Sequence, residues 1–311
     1  MLMFLFAVRR LFQAVPILLG VSLVVFGLVH LVPGHPIDLL LPPEASPEVI
    51  ARMKQELGFD KPLYIQYAVW LLRALGGDLG VSIFSGQPVA SEIVRALSNT
   101  MLLAMPAAVL GFSAGILLGL LAAFNSATWL DKLFSAMAIA GVSLPHYWFG
   151  IILVVIFSVT LNALPAQGMG DGGFDLLVHL LLPVVTLSLI PMGVVARLVR
   201  ATVLDIRSQE FVGALEAKGL RPRRILLHII KNAAPPVLAV MGLQFGYLLG
   251  GSILIETVFN WPGSGNLLNL AIFRRDIPVL QGTILVLAFF FVVLNLLVDI
   301  AQAIIDPRIR R

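Results

Sequence analysis

Six apolar runs, each more than 20 residues long, restrict what this chain can fold into. They cover Leu11–Val32, Thr100–Phe124, Leu133–Leu161, Leu176–Leu204, Ala233–Val258 and Val279–Ile305. About 20 apolar residues in a helix cross the ~30 Å hydrocarbon layer of a bilayer. Lipid offers no hydrogen bonds, so a spanning backbone must satisfy its own polar groups. No alternation of the length a barrel strand needs separates the runs, which leaves helices. Only 12% of the residues are charged and 59% are hydrophobic, against about 25% charged in a soluble domain. The expected fold is an all-α integral membrane protein with about six transmembrane helices. Several runs exceed the minimum span, so tilt or extension beyond the lipid is expected.

Charge sets the orientation. With the N-terminus in the cytoplasm, all but seven of the 21 basic residues fall on the cytoplasmic side. Those seven are Arg52, Lys54, Lys61, Arg73, Arg95, Arg274 and Arg275, and the first five share one long loop. The positive-inside rule weighs short loops most heavily and therefore places both termini in the cytoplasm. It also accounts for the net charge of +4 without invoking nucleic acid. Arg9 and Arg10 precede the first run, which is longer than a signal-peptide core and lacks a small-x-small site after it, so it reads as a retained span. There are no cysteines, which excludes disulfides and thiolate metal sites.

The chain divides into a tail and first span over 1–32, an extracytoplasmic cap loop over 33–99, and a five-helix core over 100–311. In the cap loop, Ser46 or Pro47 opens a short helix ending at Gly58. Pro62 opens a second, with Tyr64, Tyr67, Trp70 and Leu71 on one side and Gly76–Gly77 as its stop. This cap either packs on the membrane face or meets an outside partner. Small residues recur every fourth position at Ala107, Gly111, Gly115, Gly119 and Ala123, and again at Gly242, Gly246 and Gly250. Such stripes let helices approach closely, within a bundle or at a dimer seam. Glu256 and Asp299 are acids near the ends of spans, where a functional role and a structural pairing are both open. His30, His146 and His179 are scattered and read as structural or interfacial rather than as ligands.

The segment from 205 to 232, between the fourth and fifth spans, carries the functional signal. Ser208 is placed to cap a helix with Glu210 in its first turn. Phe211, Val212, Leu215 and Ala214 form its apolar face, Gly219 stops it, and Pro222 opens the next helix. A short apolar helix exposed to the cytoplasm needs cover, from the membrane surface or from a groove on a partner.

The stretch Phe211–Leu220 followed by Arg224–Val237 resembles the coupling loop of binding-protein-dependent ABC importer permeases. Ala214, Gly219 and Ile229 match that family's pattern; Gly213 replaces its Glu, Leu215 its second Ala, and Lys231–Asn232 its Leu-Pro. Ala217-Lys218-Gly219-Leu220 is similar to the subgroup carrying dipeptides, oligopeptides, nickel and glutathione. Further blocks agree in order: Leu57-Gly58 with Lys61-Pro62-Leu63-Tyr64; Gly77-Asp78-Leu79-Gly80 with Ser82; Trp261-Pro262-Gly263 with Gly265; Arg275-Asp276 with Pro278-Val279; and Asp306-Pro307-Arg308.

The resemblance implies a type I ABC importer permease in a bacterial inner membrane, forming half of a pore for peptides or similar solutes. It implies a second permease subunit, two ATPase subunits and an extracytoplasmic solute-binding protein as partners. The ATPases would engage Phe211, Val212, Ala214, Leu215, Glu216, Ala217, Lys218 and Gly219. ATP and Mg would sit on those partners, because this chain has no Gly-x-x-x-x-Gly-Lys-Ser/Thr run and is expected to be neither an enzyme nor a cofactor carrier. The competing classes are an ion-gradient-driven secondary transporter, which needs an internal repeat around a midplane site, and an intramembrane enzyme. No repeat and no His-Glu-x-x-His run appears, and Ser143, Ser158, Ser188 and Ser252 show no base beside them.

Overall fold

The computed structural model describes residues 2–31 and 60–305. The expected helix ending at Gly58 and the closing Asp306-Pro307-Arg308 block lie outside these. Ten helices are found among the described residues: α1 Leu2–Leu31, α2 Leu63–Leu75, α3 Val89–Phe124, α4 Trp129–Ser143, α5 His146–Leu153, α6 Gly173–Arg207, α7 Glu210–Ala217, α8 Pro222–Val258, α9 Ser264–Arg274 and α10 Ile277–Ile305. Five of them are long and apolar enough to cross a membrane, and a sixth span forms if α4 and α5 are taken together. Helix α3 starts 11 residues before the apolar run at Thr100, so it extends three turns beyond the expected span.

The third expected span is not one helix. It breaks at Leu144–Pro145, and α4 and α5 meet at 99°. The cause is local: Pro145 has no N–H to give, and its ring forces Leu144 into an extended conformation (φ −77°, ψ 131°). The run beyond α5 widens to i→i+5 bonding over Val154–Thr160, where Leu161 N–H reaches Ile156 O at 3.0 Å.

Helix α6 lies at the centre. The small-residue stripe of α3 packs against it so closely that a Cβ on Gly111 would lie 2.8 Å from Ser188 O, one on Gly115 2.7 Å from Met192 O, and one on Gly119 2.6 Å from Ala196 O. On another side Gly141 of α4 brings Leu189 O to 2.8 Å from where its Cβ would be. The second stripe divides. Gly242 and Gly246 of α8 receive Val298 and Phe291 of α10, whereas Gly250 faces open space. Both stripes thus serve seams inside this chain, with Gly250 left over.

The outer end is tied by two carboxylates. Glu256, at the end of α8, is fully buried and accepts hydrogen bonds from Thr100 Oγ1 (2.7 Å), Gly265 N–H (2.7 Å) and Asn266 N–H (3.0 Å). It thereby satisfies two first-turn donors of α9, where negative charge is favoured. Gly263 and Gly265 are needed here: a Cβ on Gly265 would lie 2.5 Å from Ile253 Cα, and one on Gly263 would strike the Glu256 carboxylate. Asp276, at the turn into α10, accepts from Ser82 Oγ (2.5 Å), Phe84 N–H (3.2 Å) and Ile83 N–H (3.3 Å). Two sequence blocks 194 residues apart therefore meet as one joint. Trp261, also fully buried, donates from its indole to Asn99 O at 2.9 Å.

Helix α2 leans on α1. Tyr67 and Trp70 pack their rings at 5.4 and 5.9 Å from Phe26, and the Tyr67 hydroxyl bonds Ser22 at 2.8 Å. Tyr64, on the same expected face, is exposed instead. Near the other end of α1, Arg10 pairs with Asp299 of α10 at 3.1 Å, so Asp299 has the structural partner that its position allowed.

Candidate functional site

Helix α7 is built as a short piece suspended between the feet of α6 and α8. Ser208 does not cap it. The serine hydroxyl turns back to Asp205 O at 2.7 Å, and Gln209 occupies the capping position without a side-chain bond. The stop is as expected. Gly219 takes φ +72°, a left-handed conformation suited to glycine, and Leu220 N–H closes on Leu215 O at 3.2 Å. Arg221 then leads to Pro222 in the first turn of α8.

The apolar face of α7 is not left open, contrary to the sequence reading. Val212 is buried among Val203 and Ile206 of α6 and Ile225 and Ile229 of α8, with Phe211, Leu215 and Leu220 packed around it. The chain covers its own apolar face because α6 and α8 converge above it. What remains outside is Gly213, Ala214, Glu216, Ala217, Lys218 and Gly219. Gly213, Ala214 and Ala217 share one side at helical spacing. This side is nearly flat, and a Cβ on Gly213 would meet nothing within 4 Å. Arg221, Arg223 and Arg224 stand exposed beside it. Such a surface suits close approach by a complementary groove, with cations at its rim.

Two arginines fix the foot of α6 to the corner between α3 and α4. Arg200 grips buried Asp131 with both limbs of its guanidinium, Nε to Oδ1 and Nη2 to Oδ2, each at 2.7 Å. Such a fork is the strong form of the charged hydrogen bond. Ala127 N–H (3.2 Å) and Ser135 Oγ (3.2 Å) complete the shell around Asp131. About two turns further on, Arg207 donates to Ala123 O at 2.9 Å and lies 5.2 Å from the Phe124 ring centroid. Sequence reasoning counted these arginines only as cytoplasmic charge and missed Asp131. The available signal was an acid in the first turn of a helix after a short loop facing a basic segment.

Of the remaining candidates, three resolve locally, whereas His146 Nε2 and Ser158 Oγ are buried without a hydrogen-bond partner among the described residues. His179 Nδ1 contacts Asp175 O at 2.9 Å. Ser188 and Ser252 bond carbonyls of their own helices at 2.8 and 2.9 Å, as membrane serines commonly do. Neither forms a nucleophile–base pair.

An all-helical core with a short helix between two candidate spans defines a class, the multi-span helical membrane proteins. Comparison identifies which. The chain belongs to the family described as the binding-protein-dependent transport system inner membrane component, matched over residues 115–311, with the family's N-terminal region matched over 1–104. It is therefore a permease subunit of an ATP-binding-cassette importer, seated in the inner membrane, and not the ATPase. ATPase and binding-protein partners follow from that membership. The chain is 40% identical over 306 residues to the glutathione transport system permease protein GsiC of Escherichia coli, covering 98% of each. It is 36% identical over 329 residues to the dipeptide transport system permease protein DppB of Alkalihalophilus pseudofirmus, covering 98% of this chain and 99% of the other. The fold also matches a chain of the inward-facing MetNI methionine ABC transporter, with a TM-score of 0.56 at 19% identity, over 70% of this chain and 96% of that one.

Proposed function

We propose that this chain pairs with a second permease subunit to form the translocation pore of an importer for short peptides or glutathione-like solutes. Two ATPase subunits drive it from below, docked on Phe211–Gly219. The observation that carries the docking assignment is the flat, small-residue side of α7 at Gly213, Ala214 and Ala217, left exposed after the chain has covered the helix's apolar side. A helix prepared in this way fits into a groove of another protein. It is poorly suited to lie on lipid, which would call for an outward apolar face. Full-length similarity to glutathione and dipeptide permeases supports the solute class.

The absence of cysteine makes the test direct. A single Ala217→Cys, crosslinked in native membranes and analysed by mass spectrometry, is expected to capture an ATPase subunit. Efficient labelling of Cys at 217 with no ATPase captured would overturn the docking assignment.

A further inference from the structure

A cavity of about 300 Å³ opens on the outer face, between the projecting end of α3, the 82–85 loop and α9. Its size is at the lower end of small-molecule sites. We propose that it is a transit site for short peptides of net negative charge, one ammonium against two carboxylates, as in glutathione. The inference deepens the solute class proposed above and rests on that reading.

The charge pattern of the walls carries it. Arg95 and Arg274 both line the cavity, and among the described residues neither is held in a salt bridge. Arg274 lies 3.9 Å from the Phe84 ring centroid, which orients its guanidinium without consuming its hydrogen-bond donors. Glu92 is half-buried on the same wall and takes one hydrogen bond, from Ser85 Oγ. The other lining acid, Asp276, is occupied by the hydroxyl and backbone donors of the 82–84 loop. Glu92 and the two guanidiniums thus share a cavity whose other walls mix apolar side chains such as Leu270 with the neutral polar groups of Ser85, Asn99 and Asn266.

A peptide α-ammonium complements Glu92, and two carboxylates complement Arg95 and Arg274, each guanidinium presenting a fork matched to carboxylate geometry. A neutral dipeptide leaves one arginine unanswered. Both arginines are exposed, so each pair is screened by water and individually weak. That suits a site that receives a solute and releases it again.

The test uses the intact importer, permease pair with ATPases, in lipid nanodiscs without binding protein. Labelled glutathione and the neutral dipeptide Ala-Ala are the probes. Saturable glutathione binding, preferred over Ala-Ala and weakened tenfold or more by Arg95→Gln and by Arg274→Gln, is the expected result, with Arg95→Lys retaining part of it. The proposal is overturned by wild-type importer that binds no glutathione saturably, or by glutamine variants that bind it unchanged. It is also overturned if the variants keep glutathione but lose capture of the binding protein, which would make the cavity a protein-docking surface. Co-purification of ATPase with the wild-type chain reads the broader function separately: its loss would count against that function whatever the binding result.

Discussion

Gly119→Leu should abolish accumulation of this protein in the membrane. The substituted side chain would begin 2.6 Å from Ala196 O and 2.7 Å from Val199 Cβ, and a backbone oxygen cannot rotate away. Overpacking in a yielding core costs about 1–3 kcal/mol. Here α3 and α6 must separate along a seam that Gly111 and Gly115 share, so the whole interface is lost with the contact. In the same experiment Gly20→Leu, on a side of α1 where a Cβ meets nothing within 4 Å, should accumulate like the wild type. Quantitative immunoblotting of membrane fractions checks both. Normal levels of the Gly119 variant would show that the α3–α6 seam can relax, and that its close packing is not needed for folding.

Ala217→Arg is expected to reduce uptake to background while leaving expression and insertion intact. The methyl group of Ala217 is exposed, at the end of α7 and away from the Val212 cluster, so an arginine there disturbs no packing within the chain. It would put a long, charged side chain on the flat side proposed above as the ATPase docking surface, beside a rim already carrying Arg221, Arg223 and Arg224. Uptake of labelled solute by cells, normalised to the amount of permease, provides the readout. Undiminished uptake would remove α7 from the coupling path.

The spans were legible in the sequence because lipid leaves a helix few alternatives: four of the six runs sit inside single helices, and the first does so through Leu31, beyond which the described residues stop. The third was misread as continuous for a local reason, since Leu144–Pro145 interrupts the hydrogen bonding without interrupting hydropathy. The glycine stripes announced close contact but not their partners. Nothing in the periodicity of Gly111, Gly115 and Gly119 says that α6 lies opposite. The 205–232 loop showed its helix, stop and second helix. Its cover was invisible because Val203, Ile206, Ile225 and Ile229 lie on two other helices. Asp131 with Arg200 and Ser82 with Asp276 escaped for the same reason: their partners are distant in sequence, and a single chain without aligned relatives does not record pairing. Glu256 was flagged as an acid in a span, and its three donors belong to structure rather than to a solute path.

The forked grip of Arg200 on Asp131 and the bond from Arg207 to Ala123 O make a stiff bracket. A bidentate joint resists twisting as well as pulling, and the second tie, seven residues further along α6, removes the remaining freedom to pivot. Under the docking proposed for α7, thrust entering there would be shared by α3 and α4 rather than absorbed at the base of α6. Under that docking, deflection passed along α4 would meet the elbow at Leu144–Pro145, where the helical hydrogen bonding is already interrupted.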